Sequence, residues 1–393
     1  MIHPAGAPVR VTMLVRNQFT NDTRVEREAR TLIDAGYIVT ILADGGPGLA
    51  RSEARAGATV HRLSRRGLNL PGLRFLAHQW RIGQAVRRTR PAILHAHDAD
   101  ALQVIGPIAE RLRVPFVYDS HELWLGRTAR GRSPAYDALN RAWYGRVESR
   151  YVPRAAVVMV ANPGVAPELA RRYGIDDVAI VPNYPVESGQ VVVCDLRELP
   201  GIGPIPKDAP IVLYLGAIMP YRGLEELVVA MLQVDGAHLV CLGAGGGSTR
   251  AVEAETRRLG IADRVHFLAP VPSADVVPFA ASATLGVSIV QPASLSYRLA
   301  LPNKLFQYMA AGLPVVASDF PDVRQVVEGS AAGLVVDPTN PDAVATAIRN
   351  VLSAPGRGRA MGAAGRRAVA EHYNWSTSAT ELLRRYRGIR PAA

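Results

Sequence analysis

Residues 297–323 read YRLALPNKLFQYMAAGLPVVASDFPDV, and the order of signals in this stretch decides the fold. Pro302 suits the first turn of a helix, where its missing N–H is not needed. Leu305 and Phe306 supply a core-facing side, and Gly312 offers the left-handed residue that ends a helix. The run LPVVAS that follows is short, apolar and β-branched, as a strand covered on both faces must be. A helix, a glycine and a buried strand make the repeating half of a parallel α/β sheet.

The same rhythm extends outward in both directions. In the first half VRVTMLV, YIVTILA, ATVHRL, AILHAH, PFVYD, AAVVMVA and VAIVPN read as strands separated by helical stretches. The segment 184–208, YPVESGQVVVCDLRELPGIGPIPKD, is rich in Gly and Pro and breaks the rhythm, so a linker is expected over 186–208. APIVLYLGAI, AHLVCLGAG, RVHFLAP, ATLGVSIV and LPVVAS then predict a second parallel sheet, with helices near 222–233, 249–259, 302–311 and 341–353. The expectation is two doubly wound, Rossmann-like domains, 1–185 and 209–372, facing each other across a cleft, with ligands at the carboxyl ends of the strands. Residues 373–393 predict a final helix, capped by Ser376 or a neighbour and packing across the junction.

At 393 residues the chain can bury two cores of ordinary size. No apolar run approaches the roughly 20 residues that span a bilayer, and the first residues lack the order of a signal peptide. The chain therefore reads as cytoplasmic. Cys194 and Cys241 stand alone, without the spacing of a disulfide framework or a zinc site, and read as buried hydrophobes. The net charge of +11 is lopsided: residues 1–185 hold 26 Arg against 16 Asp plus Glu, a balance of +10. Between Glu53 and Asp98 there is no acidic residue, yet Arg55, Arg62, Arg65, Arg66, Arg74, Arg81, Arg87, Arg88 and Arg90 fall there. Such a field attracts phosphates or the anionic inner face of a membrane, and an arginine-rich bias on solvated helix faces would leave the same pattern. No nucleic-acid-binding motif accompanies it.

Lys304 is the residue that points to chemistry. Free N–H groups and the dipole make the start of the 302–311 helix an anion site. A cation in that first turn opposes the dipole unless an anion such as a diphosphate occupies the site. Lys304 is also one of only two lysines, the other being Lys207. Gln307, three residues on, shares its face and can reach a ribose. Arg222 follows the strand end LYLGAIMP, where Gly216 permits close backbone approach, and it too stands at a helix start. His121 comes just after a strand ending in Asp119. Asp98-Ala99-Asp100 looks like a metal-binding pair, but between a strand and a helix Asp is a natural cap. The glycine-rich run 243–248 reads as a loop lining the cleft.

Taken together, NDTRVEREARTLIDAGYIVTILA, HAHDAD, VYDSHEL, LYLGAIMPYRGLEELVVAM, LPNKLFQYMAAGLPVVASDF and YNW make nearly the whole chain resemble family four of the retaining GT-B glycosyltransferases. The resemblance implies a nucleoside-diphosphate sugar donor, metal-independent transfer with retention, no cofactor, a donor site in the C-terminal domain and an acceptor site mainly in the N-terminal one. It gives Arg222 and Lys304 the donor phosphates and His121 the sugar. Asn21, Asp22 and Arg24 fall in a first loop that approaches donor and acceptor. HFLAPVPSAD is similar to the segment that holds the nucleobase, through Val271 and Pro272. Gly216, Gly243, Leu301, Asn303 and Gln307 complete the implied donor site. Two departures stand out: the family's Glu-x7-Glu pair falls on Leu299 and Gln307, and a frequent phosphate-binding Arg is Ala217. They keep open a catalytically impaired partner subunit, beside a nucleotide-sugar epimerase of the same fold. A small-molecule, glycan or lipid-linked acceptor is expected.

Overall fold

The computed structural model describes residues 8–64, 71–127, 133–186, 189, 191–243, 245 and 247–391, without the side chains of 71–76. Arg65 and Arg66 of the basic run, and Ala244 and Gly246 of the glycine-rich loop, lie outside the described residues. The chain divides into two compact units, Met1–Asn183 with Thr377–Ala393, and Tyr184–Ser376.

In the N-terminal unit the strands are β1 (Arg10–Leu14), β2 (Ile38–Asp44), β3 (Ser52–Arg55), β4 (Ala58–Leu63), β5 (Ile93–His97), β6 (Phe116–Ser120), β7 (Val157–Val160) and β8 (Ala179–Ile180). Its helices are α1 (Thr23–Asp34), α2 (Pro71–Arg88), α3 (Asp98–Leu112), α4 (Pro134–Tyr151) and α5 (Val165–Tyr173). The strand order is β3-β4-β2-β1-β5-β6-β7-β8. All neighbours are parallel except β3, which pairs antiparallel with β4 at the edge. From β1 the chain winds outward through β2, then returns to β5 on the other side, so the topological switch lies between β1 and β5.

The C-terminal unit contains β9 (Ile211–Leu215), α6 (Leu224–Ala230), β10 (His238–Leu242), α7 (Gly247–Arg258), β11 (Val265–Leu268), α8 (Val276–Ala280), β12 (Leu285–Ser288), α9 (Leu295–Arg298), α10 (Asn303–Ala311), β13 (Val315–Ser318), α11 (Pro321–Gly329), β14 (Gly333–Val336), α12 (Pro341–Leu352) and α13 (Pro355–Glu371). The parallel order β11-β10-β9-β12-β13-β14 puts its switch between β9 and β12. There the ladder is short, pairing only Leu285 with Val212 and Gly286 with Leu213. The strands part beyond it, and Tyr308 of α10 fills the gap. Its hydroxyl accepts from Leu215 N at 2.8 Å and donates to Val287 O at 3.1 Å. The ring lies flat on Gly286, where any Cβ would overlap it.

The structure moves two expected boundaries. The stretch 186–208 is no free linker: Leu196 is fully buried in the core of the C-terminal unit, with Leu199, Ile202 and Ile205 packed beside it. Apolar residues inside a Gly/Pro-rich segment bind it to the sheet even though it makes no ladder of its own. The last helix, α14 (Trp375–Gly388), starts one residue before Ser376, which leaves its neighbour Asn374 at the cap position. From Thr377 onward the chain groups with the N-terminal unit, where Ser378 Oγ donates to Pro182 O at 2.8 Å. Cys241 is buried as expected, whereas Cys194 is half-buried. Among the described residues no helix is long and apolar enough to cross a membrane.

Candidate active site

In the C-terminal unit the implied donor residues gather where the parallel strands end. Gly216 follows β9 and Gly243 follows β10, with φ of 104° and 117°. A Cβ on Gly243 would come within 2.9 Å of the Gly216 backbone, so only glycine permits this approach. Lys304 stands in the first turn of α10, with its Cε 3.9 Å from where a Gly216 Cβ would be. Its ammonium lies 3.7 Å from the centre of the Tyr214 ring, a cation–π contact with a residue of β9. Arg222 lies 5.0 Å over the Tyr297 ring, in the loop that leaves β9. Tyr221 beside it has a left-handed backbone (φ 64°), and Gly223 (φ 79°) presses so close to Ile289 O that no side chain fits there. The loop is thereby fixed against the exit from β12.

Among the described residues neither Arg222 nor Lys304 has a carboxylate partner, although ion pairs are plentiful elsewhere in the chain. Burial, and then the charge of Arg222, push the Lys304 ammonium down to about 7. Two cations are therefore held together at a switch point, under the start of a helix with no acidic residue in its first turn. That arrangement is costly without an anion and favourable with one. Asn303 is exposed in the same turn and Gln307 is half-buried one turn on. Leu301 is buried in the core, at 7% exposure. Val271 also packs partly against that core, while Pro272 is exposed.

In the N-terminal unit the ends of β5 and β6 and helix α1 bring together a buried polar cluster. Asp119 at the end of β6 accepts two bonds from the Arg24 guanidinium, 2.8 and 2.6 Å. Arg24 also faces Glu28 at 3.1 Å and donates to Val181 O. His121 Nε2 lies 3.0 Å from Asp119 Oδ2 and 3.2 Å from His97 Nδ1. Its Nδ1 is 3.6 Å from Asp98 Oδ2, and its backbone N–H donates to Asp98 Oδ1 at 2.9 Å. Burial opposes charging of His121, but Asp98 and Asp119 outweigh it and lift the imidazole to about 10. Burial would raise Asp119, yet Arg24 and then His121 hold it well below the carboxylate range. His121 is an imidazolium at neutral pH and a quarter exposed, with Nδ1 the freer donor.

This geometry corrects two sequence readings. Arg24 is not in an open loop: it is on α1, buried to 4% exposure and committed to Asp119. Asp22 is the N-cap of that helix, accepting from Val25 N, and only Asn21 is exposed. Asp98 does not cap α3, whose N-cap is His97. It has a left-handed backbone (φ 66°) and spends both oxygens on His121.

Sequence reasoning passed over Asp119, His97, His95, Glu28 and Tyr386, although His95 and His97 two apart on a strand had to share a face. His95 Nδ1 is bonded to the Tyr386 hydroxyl of α14 at 2.7 Å. Glu28, His95, His97 and Asp119 are, among the described residues, the group close enough to hold a metal ion. The His95 and His97 rings are stacked at 4.2 Å and 21°. The Arg24 guanidinium already faces both carboxylates as their counter-charge.

Residues 22–184 match the model of Glycosyltransferase Family 4, and residues 209–354 that of Glycosyl transferases group 1. The chain is 29% identical to a D-inositol 3-phosphate glycosyltransferase of Xylanimonas cellulosilytica over 307 residues, 74% of this chain and 70% of the relative. It is 26% identical to a GDP-mannose-dependent alpha-(1-6)-phosphatidylinositol monomannoside mannosyltransferase of Mycolicibacterium smegmatis over 302 residues, covering 75% of this chain and 76% of that one. Among solved structures, sucrose-phosphate synthase from Thermosynechococcus elongatus superposes with a TM-score of 0.79 at 21% identity, over 96% of this chain and 98% of that one, which shows the fold. With both halves matched and two parallel-sheet α/β domains of the GT-B kind, the chain belongs to glycosyltransferase family four and is a glycosyl-transferring enzyme.

Proposed function

We propose that this enzyme moves a sugar from a nucleoside-diphosphate donor to a hydroxyl of a phosphorylated or lipid-linked acceptor, with retention of configuration and without a metal. The observation that carries the reading is the pair of basic side chains, Arg222 and Lys304, that among the described residues have no carboxylate partner at the β9–β12 switch. On this reading the donor diphosphate is the missing anion. As the glycosyl–phosphate bond breaks, the two cations and the free N–H groups near Asn303 stabilise the charge that develops on the leaving group. A fixed cation pair supplies what a metal supplies elsewhere, so no cofactor is needed.

His121 is charged at neutral pH and cannot act as a base. It serves as a donor from Nδ1 to a sugar oxygen, and the acceptor's proton goes to the departing phosphate. The relative from Mycolicibacterium smegmatis uses GDP-mannose, and both named relatives act on phosphorylated inositols. A basic N-terminal half suits such an acceptor. Exposed Trp80, Leu139 and Trp143 on α2 and α4, among arginines, support peripheral contact of this unit with an anionic membrane surface.

Calorimetric titration with UDP-, GDP-, ADP- and TDP-sugars, with and without EDTA, tests the donor assignment. Binding of one donor that EDTA leaves unchanged and Lys304→Ala abolishes is the expected result; no binding by any of them overturns it. The anomeric configuration of the product, read by proton NMR, decides retention.

A further inference from the structure

Among the described residues Lys304 has no carboxylate partner, and it is set beside the proposed seat for phosphates. Its neighbours are the Tyr214 ring, the Gly216 backbone and, within electrostatic reach, Arg222. An anion held by Arg222 and the helix start thus brings whatever it carries close to a primary amine. We propose that Lys304 is an acylation site for small acyl phosphates, which the diphosphate seat captures by their phosphate and which give their acyl group to Nζ. The inference rests on the donor-site reading and assigns that site a second ligand class.

The step balances without another reactant. The neutral amine attacks the carbonyl carbon, the N–C bond forms, and the C–O bond to phosphate breaks with its electrons leaving on phosphate. The proton lost from nitrogen ends on that phosphate. The product is an uncharged amide at the position where the donor's diphosphate needs a cation, so acylation closes the enzyme to its donor.

Geometry gives capture, and the lowered basicity of the empty site gives reactivity to the fraction of the amine that the captured phosphate leaves unprotonated. At pH 7.5 a group near 7 is about three-quarters neutral amine, whereas a lysine near 10.5 is about one-thousandth neutral. Weaker basicity lowers intrinsic nucleophilicity, by roughly 40-fold over such an interval if amines follow the trend known for thiols. The balance still favours Lys304 by on the order of tenfold before any capture. Lys207 is exposed and is the other lysine, so each molecule carries its own control.

The test incubates the full chain with acetyl phosphate at pH 7.5 and maps acetylated peptides by mass spectrometry over time. Lys304 is expected to react at least about tenfold faster than Lys207. Pyrophosphate should slow Lys304 alone, and Arg222→Ala should slow Lys304 while the Lys207 rate stays constant. Equal rates at the two lysines, or no effect of pyrophosphate, overturn the proposal. A neutral acetyl ester should show a smaller preference for Lys304; an undiminished one refutes capture by phosphate. Should every nucleotide sugar fail to bind while pyrophosphate still protects Lys304, the donor reading falls and the acylation site stands.

Discussion

The Tyr308 hydroxyl accepts the amide hydrogen of Leu215 at 2.8 Å, and so joins helix α10 to the strand whose end forms the candidate donor site. The same oxygen donates to Val287 O, so one phenol satisfies a buried backbone donor on β9 and a buried acceptor on β12. Tyr308→Phe leaves both unpaired and should destabilise the chain by about 1–3 kcal/mol. Urea denaturation measures it; a loss below about 0.5 kcal/mol would mean that the strands can close on each other.

Donor binding should take up a proton near neutral pH. An anion restores the Lys304 ammonium, which burial and Arg222 have pushed down to about 7. Uptake should approach about nine-tenths of a proton at pH 8 and about one-tenth at pH 6, as the neutral fraction dictates. Calorimetry in buffers of different ionisation enthalpy reads this directly, and Lys304→Arg should abolish it. For stability the sign is opposite to that of a paired lysine. Between about 7 and 10.5 the unfolded chain holds the extra proton, so this residue's share of stability rises with pH across that window.

Arg24 and Asn21 stand three residues apart but should behave differently. Arg24→Ala takes the guanidinium partner from the buried Asp119, leaving it His121 and His97, and should cost about 3–5 kcal/mol. Asn21 is exposed, so Asn21→Ala should stay within about 0.5 kcal/mol of wild type. Equal midpoints for the two variants in guanidinium would remove the structural role assigned to Arg24.

Asp98 should hold His121 in its charged form. His121 is raised to about 10 by Asp98 and Asp119 against the penalty of burial. NMR titration of Asp98→Ala should show the imidazole falling toward its ordinary value, and a value still near 10 would give the whole effect to Asp119. The stability that His121 contributes is fully present below about 6.5 and is lost as pH rises through 10.

Strand runs such as VRVTML and IVLYL were legible because strands buried on both faces need continuous β-branched residues. Ser52–Arg55 was not: a polar antiparallel edge carries no such run, and its place depends on pairing with β4. Helix α13, PGRGRAMGAAGRRAVAE, was not legible either, because glycine disfavours helices. In the fold Gly362 faces the Gly312 backbone with no room for a side chain, and a Cβ on Gly365 would lie 3.2 Å from Met309 and Ala332 side-chain atoms. Close packing of α13 on α10 outweighs local propensity there.

The sequence by itself determined the two parallel sheets, the helix that starts near Pro302, and the cationic character of Arg222 and Lys304, because periodicity and residue type are local properties. Only the tertiary structure decided that these cations meet without a counter-charge, that Tyr308 closes the gap between β9 and β12, and that Arg24 is buried on Asp119. Each of those depends on which side chains from distant parts of the chain share a desolvated space. Pairing, burial and the resulting shifts in charge are fixed by that neighbourhood, and no single stretch of sequence contains it.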